Sequence, residues 1–552
     1  MPSSTEAAGL LREIAELLDL QGERFKPEAY RRAARSVETL SEELAAVAGR
    51  GGLREVPGVG AAIEEKLREY LATGRIGYLD RLRAEIPAGL VEMMRLPGIG
   101  PKTTRRFWTE LGVTDRAELL RAIEGGRLTG LKGFGPRKIE QVRSALAAAA
   151  SGPAPGRRPI EELFPIAHAI RAMLLETAPT ERVEIAGSFR RGRETVGDLD
   201  ILVTSLAPGK VFDRFSALPE IAEVRMRGGT KETVLLRSGL QVDLRVVEPE
   251  AFGAALQYFT GSKEHNVRLR SLARDQGLKI NEYGVFRGEE RVGGRTEEEV
   301  YRLLGLSWIP PELREDHGEI DAARAGKLPR LVELRDLRGE MHVHLPPEAT
   351  EASLAGVRVA AAALGLEYVG IVVATPRPDG SLTGPSPGLA EAVRRVRDGS
   401  VRLIAAAEIL PHTPIAEVER IAPEYTILRP PEPSTPPAAA VSAQPAPRLL
   451  AHVGRDSVAV ARWLGVARTV GCAVEVGPGS DRLDSTLARS ARDLGLRLEV
   501  PTGLGTTDPT ATRELSVGFA RRAGASRAEI VNAGPYSDRV PTAKRRGRAT
   551  GS

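Results

Sequence analysis

The 552-residue chain has one cysteine, Cys472, so it can form no internal disulfide and a reducing compartment is expected. No apolar run follows a basic start in the first residues, so no secretory leader is expected. Long apolar runs are missing as well. The most apolar long window, residues 357–374, contains Arg358 and Glu367 and falls short of a clean bilayer crossing. Charge of one sign is not in large excess: the net charge of +5 permits a polyanionic partner without requiring one. These absences predict a cytoplasmic, soluble protein with no membrane partner. The length allows three or more domains, each with its own core.

The most informative stretch is residues 182–204, RVEIAGSFRRGRETVGDLDILVT. RVEIA alternates like a half-buried strand, and Gly187-Ser188 opens a short turn and helix whose first N–H groups are free for an anion. DLDILVT reads as a second strand. Asp198 and Asp200 lie two apart on it and share a face, and the usual remedy for such crowding is a divalent cation. A lone DxD is more often a solvated strand end, but GS…RRG…GDLD together is far more specific. A third carboxylate is expected from TVLLRSGLQVDLRVV, two strands about a Ser238-Gly239 turn with Asp243 mid-strand on the second. A charge among Val242, Leu244, Val246 and Val247 is costly unless it is paired or metal-bound.

GSFRRG, GDLDIL and QVDLR resemble the palm of the family X DNA polymerases, the polymerase beta-like enzymes. The resemblance implies that Asp198, Asp200 and Asp243 are catalytic and hold two Mg²⁺ or Mn²⁺ ions, and that Ser188, Arg191 and Gly197 bind a triphosphate.

Upstream, an apolar residue, a Gly-x-Gly turn and a helix start recur three times: VPGVGAAIEEKL, LPGIGPKTTRRF and LKGFGPRKIEQV. Gly58 and Gly60, Gly98 and Gly100, and Gly133 and Gly135 let the backbone approach a phosphate, and each helix N-terminus supplies N–H donors. This is the helix-hairpin-helix pattern of sequence-independent DNA binding. The first eighty residues also resemble the family's lyase domain. There Lys26 and Tyr30 match a 5′-phosphate pocket, and Lys66 matches the lysine that forms a Schiff base with an abasic sugar. A solvated Lys66 that merely grips DNA is the alternative, and Ala62 stands where the family commonly has a second lysine.

SGPAPGRRP, residues 151–159, reads as a linker. Within the palm the basic turn RMRGGTK, ending at Lys231, is expected on template phosphate. Beyond it, YFTGSKEHN between helices resembles the family thumb. There Tyr258, Phe259 and Gly261 lie at the incoming nucleotide, with the two rings against the sugar. Asn266 and Arg270 contact the incoming pair and the template minor groove.

From Gly339 onward β and α segments alternate, which predicts a parallel α/β barrel. HVH places His342 and His344 on one strand face. This half resembles the PHP phosphoesterase domain, of whose nine ligand positions only His342, His344, Glu408 and His452 remain. Ala349, Ala374, Gly503 and Gly505 stand at lost ones, and another is lost in the Pro/Ala-rich run 429–447, read as a disordered insertion. PHP metals are therefore expected to be absent or reduced, with one mononuclear site from the four survivors as the remainder, and no robust 3′–5′ exonuclease is expected.

The expected architecture is multidomain: α-helical helix-hairpin-helix domains (1–80 and 81–150), a linker (151–159), an α+β nucleotidyltransferase palm (160–249) with its thumb (250–320), a C-terminal PHP-type α/β barrel (336–540) and a basic tail (541–552). The expected function is templated filling of short gaps in DNA repair. Expected partners are 5′-phosphorylated gapped or nicked DNA, deoxynucleoside triphosphates and a repair protein at the PHP domain, with the chain itself a monomer. A template-independent nucleotidyltransferase and a DNA-end-binding scaffold are the rivals.

Overall fold

The computed structural model describes residues 4–535 apart from 24, 39–43, 95–98, 132–133, 136–138, 141, 144–145, 147–156, 178–179, 347, 385–387, 396–398, 431–447 and 455–456. Gly98, Gly133, most of the 151–159 and 429–447 stretches and the basic tail lie outside the described residues. Two compact units emerge, Met1–Gly156 and Arg157–Ser552.

The first unit is helical. In α1 (Ser4–Gln21), Leu11, Ile14 and Leu18 recur at helical spacing and are fully buried, in one cluster with Ala33 and Val37 of α2 (Lys26–Glu38). Gly60 and Gly100 immediately precede α3 (Ala61–Thr73) and α4 (Pro101–Leu111), where the repeats predict helix starts. Gly58 has a left-handed φ of 87°, and a Cβ there would meet the Ala33 backbone nitrogen at 2.9 Å. Only glycine suits that position.

The second unit opens with helix α5 (Ile160–Leu175) and a five-stranded sheet. Its strands are β1 (Thr180–Ile185), β2 (Asp198–Ser205), β3 (Ile221–Arg227), β4 (Lys231–Leu236) and β5 (Gln241–Val247), in the order β1-β2-β5-β4-β3. Only β2 and β5 pair in parallel. Strand alternation sorts the side chains. Leu199, Ile201 and Val203 of β2 join Val242, Leu244 and Val246 of β5 in the core against Leu163, Ala167 and Ile170 of α5. The alternate residues face the other way, where Leu202 packs on Phe252 and Ala255 of α7 (Phe252–Thr260). Asp198, Asp200 and Asp243 belong to that second face.

The turn helix α6 (Gly187–Arg190) lies between β1 and β2. After α7 come α8 (Lys263–Asp275) and a small antiparallel sheet, β6 (Lys279–Asn281), β7 (Gly284–Arg287) and β8 (Glu290–Gly293), packed around Leu269, Val285, Val300 and Tyr301.

The C-terminal part is the expected α/β barrel. Among the described residues seven parallel strands run in sequential order: β9 (Gly339–Val343), β10 (Tyr368–Pro376), β11 (Arg402–Ile409), β12 (Tyr425–Leu428), β13 (Leu449–Leu450), β14 (Ala473–Glu475) and β15 (Leu498–Glu499). Asn532 stitches the two ends together. Its Nδ2 donates to Gly339 O at 2.8 Å and to Val500 O at 2.7 Å, and its Oδ1 accepts from Val500 N at 3.1 Å. The last helix of this part, α9 (Pro509–Arg522), shares a core with α5.

Candidate active site

On the β2–β5 pair Asp200 is the direct register partner of Asp243, and Asp198 pairs with Gln241 one step earlier on the same face. The three carboxylates therefore crowd one face of the sheet. Burial first, then Asp198 and Asp243, push the Asp200 carboxyl up to about 7. Asp198 reaches the surface yet is also raised, by partial loss of solvent and then by Asp243. This repulsion, on oxygen donors only, fits divalent cations of the Mg²⁺ class.

The turn before β2 closes over this face. Gly187 has φ 63°, and a Cβ there would lie 2.7 Å from Asp200 Oδ2, so the approach of turn to carboxylate requires glycine. Ser188 follows in α6, and Gly197 immediately precedes β2 with Arg157 beside it. Arg191 is mostly buried. Its Nε donates to Glu315 at 2.9 Å and its Nη1 to the Thr260 carbonyl.

Lys231 stands where the basic turn ends. It begins β4, whose Thr233 registers with Asp243, and alternation turns Lys231 to the carboxylate face. Its Nζ lies 2.6 Å from Asp243 Oδ2, offsetting part of the acidic charge. Asn266 also bonds within the protein. Its Nδ2 donates to Tyr258 O and its Oδ1 accepts from Gln257 Nε2, both at 2.7 Å, so its amide ties the end of α7 to α8. Arg270 is exposed on α8, and Gly261 follows α7 with φ 71°. The Tyr258 and Phe259 rings meet edge to face at 5.1 Å, with the Arg245 guanidinium 4.1 Å from the Phe259 ring centre.

Sequence reasoning missed the charge cluster behind this turn. Arg190 forks onto Glu297 at 2.8 and 2.9 Å, and the fully buried Arg314 reaches the same carboxylate at 2.6 Å. Burial opposes the charge on Glu297, but Arg314 and Arg190 hold it down at about 2. Glu297 carried no signal beyond an acidic helix start.

In the first unit, Lys26, Tyr30, Gly58, Gly60 and Lys66 line one open cleft of about 730 Å³ with Arg32, Arg54 and Tyr78. Lys66 Nζ lies 4.7 Å from the Tyr78 ring centre and donates to Ala62 O at 3.0 Å. Burial pushes the Tyr30 phenol up to about 12, so it stays neutral. Arg32, Arg54 and Tyr78 were not singled out from the sequence. Gly100 and Gly135, in the second and third repeats, lie outside this cleft's lining.

Comparison with known proteins decides the family. Family models match in four segments: helix-hairpin-helix domain (residues 3–76), SAM-like helix-hairpin-helix tandem (90–148), DNA polymerase beta palm (157–223) and DNA polymerase beta thumb (255–315). Over 367 residues the chain is 35% identical to the DNA polymerase/3'-5' exonuclease PolX of Bacillus subtilis, covering 66% of this chain and 63% of that protein. It is 26% identical to DNA polymerase lambda of Rattus norvegicus, over 57% of this chain and 58% of that one. It is 24% identical to DNA polymerase lambda of Arabidopsis thaliana, over 56% and 61%. The chain belongs to the family X DNA polymerases. It spans about three fifths of the length of the curated relatives it matches.

This family X chain carries a second polar cluster in its barrel. His342 of β9, His344 just after that strand, Glu408 of β11 and His452 after β13 come together, with one donor atom of each within 4.8 Å of the others. The Nε2 atoms of His342, His344 and His452 lie 3.0, 3.2 and 3.2 Å from Glu408 Oε1, and those of His342 and His344 are 3.1 Å apart. Donors in a tetrahedron with bonds of about 2.0–2.1 Å stand roughly 3.3 Å apart, so these four fit one cation. Glu408 Oε2 is buried without a hydrogen bond to any described residue, although Arg429 lies 3.6 Å away.

Ala349, Ala374, Gly503 and Gly505 offer no side-chain donor, as expected. The sequence reading missed what surrounds the four. Glu475 accepts from Arg482 Nε at 2.6 Å and sits 3.3 Å from His342 Nδ1, and Asp481 sits 2.9 Å from His452 Nδ1. These carboxylates orient the imidazoles, as outer-shell partners of metal-bound histidines do. Against the cost of burial, Glu475 and Glu408 raise His342 to about 10. Asp481 and Glu408 raise His452 to about 9. Among the described residues no helix is long and apolar enough to cross a membrane.

Proposed function

We propose that the chain is a DNA-directed DNA polymerase that inserts deoxynucleotides into short gaps during repair. The observation that carries this reading is the juxtaposition of Asp198, Asp200 and Asp243 on adjacent parallel strands beneath the Gly187-Ser188 turn. These three carboxylates would hold divalent cations, Mg²⁺ or Mn²⁺, which would neutralise charge on the triphosphate and lower the pKa of the primer hydroxyl. The chain's own residues do the positioning. Backbone donors at Ser188 and Gly197 and the Arg191 side chain hold the triphosphate, the primer 3′-oxygen attacks the α-phosphate in line, and pyrophosphate leaves on the Ser188 side. Tyr258 and Phe259 pack against the sugar, and Arg270 faces the template.

In this reading the helix-hairpin-helix glycines grip DNA backbone, and the Lys26–Tyr30–Lys66 cleft receives the 5′-phosphate of a gap. Lys66 supplies lyase chemistry only where an abasic sugar reaches its Nζ. The domain limits proposed for these roles are 1–80, 81–150, 160–249, 250–320 and 336–540, with the chain acting as a monomer in the cytoplasm, at the nucleoid.

A second reading concerns the barrel. Its four converging donors support one divalent ion on His342, His344, Glu408 and His452, in a PHP-like domain too depleted for trinuclear phosphoester hydrolysis. The test is a nuclease assay with Mn²⁺. DNA digestion in proportion to enzyme and abolished by His342→Ala contradicts it. Insertion into a one-nucleotide gap, with Asp243→Ala as control, tests the polymerase reading, and untemplated addition by the wild type would favour a terminal transferase.

A further inference from the structure

Arg191, the side chain assigned to the triphosphate, does not hold its position alone. Its Nε bonds to Glu315 at 2.9 Å, and the same Glu315 oxygen accepts from Arg522 Nη1 at 2.8 Å. Arg522 ends α9, in the C-terminal domain, 331 residues further along the chain. Its Nη1 also donates to the backbone carbonyl of Arg191 at 3.3 Å, so it grips both the partner of that side chain and its own main chain. All three side chains are about nine-tenths buried, with 12, 10 and 11% exposure for Arg191, Glu315 and Arg522.

A second tie from the same domain lands on the same loop. Ser485 donates from its backbone nitrogen, at 3.1 Å, and from its hydroxyl to Glu194 Oε1. The opposite Glu194 oxygen lies 3.9 Å from Arg522 Nε. Gly192, with φ 64°, runs beside Gly518 of α9. The loop 191–194 is thus clamped at its start and its end by the barrel domain. Arg521 next door braces the end of the thumb, reaching Glu312 at 2.6 Å.

Charge makes this arrangement consequential. Glu315 is shared among Arg191, Arg193 and Arg522, each through a single nitrogen, and a buried charge-assisted hydrogen bond is stronger than a neutral one. With Arg522 gone, the buried carboxylate would draw more strongly on Arg191 and lower the positive field offered to a triphosphate.

We propose that Arg522, acting through Glu315, is a positioning residue for nucleotide binding, so that the C-terminal domain is part of the nucleotide site while doing no chemistry there. This rests on the triphosphate role given above to Arg191. It gives a barrel with few ligand residues left a task in the polymerase half.

The test uses the full-length chain, with KM and kcat for nucleotide insertion measured beside equilibrium titration of a deoxynucleoside triphosphate with Mg²⁺. Arg522→Gln should raise KM and weaken nucleotide binding on the order of tenfold, with kcat and gapped-DNA affinity nearly unchanged. Arg522→Lys should recover most of the loss. In an Arg191→Ala background Arg522→Gln should add nothing, because the two act in series. Glu315→Gln, which keeps the shape and removes the shared charge, carries the same test should Arg522→Gln fail to fold. Unchanged nucleotide binding in folded Arg522→Gln overturns the proposal, as does an additive effect in the Arg191→Ala background. A wild type that binds nucleotide but inserts none overturns the polymerase reading and leaves this one to the binding ratios. A wild type that binds no nucleotide overturns both.

Discussion

Asp200 sits directly across the parallel β2–β5 pair from Asp243, and the carboxyl it carries is pushed up to about 7. A group whose folded pKa is raised stabilises the fold fully below its ordinary, unfolded value and loses that contribution as pH rises through the folded value. Metal-free protein should therefore lose stability from this group between the ordinary carboxylate range and about pH 7. Divalent cations reverse the trend by relieving the ionised cluster. Thermal unfolding at about pH 6 and about pH 8, with and without Mg²⁺, checks this: the Mg²⁺-induced rise in Tm should be larger at the higher pH and vanish in Asp200→Asn.

Glu297 behaves in the opposite sense. Its carboxyl is held at about 2 by Arg314 and Arg190, so its contribution is present above the ordinary carboxylate value and is lost as pH falls toward about 2. Glu297→Ala would strand a fully buried Arg314 and should cost about 3–5 kcal/mol, read by denaturant unfolding at neutral pH. A loss below about 1 kcal/mol would mean that solvent reaches the arginines.

The barrel cluster should take up one divalent ion. His342 and His452, raised to about 10 and about 9, stabilise metal-free protein below the ordinary histidine value and cease to as pH rises through those values. A bound ion must displace their protons, so affinity for Zn²⁺ or Mn²⁺ should rise with pH. Metal analysis after dialysis should find one ion that is lost in Glu408→Ala while gap insertion persists.

Tyr258 is held by the edge-to-face contact with Phe259 and by Asn266, which bonds its carbonyl. Asn266→Ala should loosen the sugar pocket and lower discrimination against ribonucleotides by about tenfold, measured as the ratio of kcat/KM for the two sugars.

Much of the active face was legible in advance because it is local. Two strands with alternating apolar residues and aspartates two apart fix which side chains share a face, and the Gly187-Ser188 turn lies a few residues away. The helix starts after Gly60 and Gly100 were readable for the same reason. What escaped was long-range pairing. Arg190 meets Glu297 107 residues later, and Arg522 meets Glu315 207 residues earlier, with no spacing rule to connect them. The contact of Lys231 with Asp243 escaped as well, because its pairing register, not its neighbours, turns it toward that carboxylate. In the barrel His342 and His344 were readable from the HVH spacing, and Glu408 and His452 through the resemblance to the PHP domain. Glu475, Asp481 and Arg482 were not, since they stand where the resemblance has no expectation.

The cleft in the first unit separates grip from chemistry. Borohydride trapping on DNA with a 5′ abasic sugar should give a covalent adduct that Lys66→Ala abolishes, with 5′-phosphate-gap affinity retained through Lys26 and Arg32. Trapping that persists in Lys66→Ala would assign the amine elsewhere.

The most direct measurement is insertion of one nucleotide into a 5′-phosphorylated single-nucleotide gap, with Mg²⁺ or Mn²⁺, Asp243→Ala and an unprimed control. Template-directed insertion by the wild type, lost by at least about a thousandfold in Asp243→Ala, is the predicted result. Insertion that ignores the template, or that survives the loss of Asp243, would contradict it.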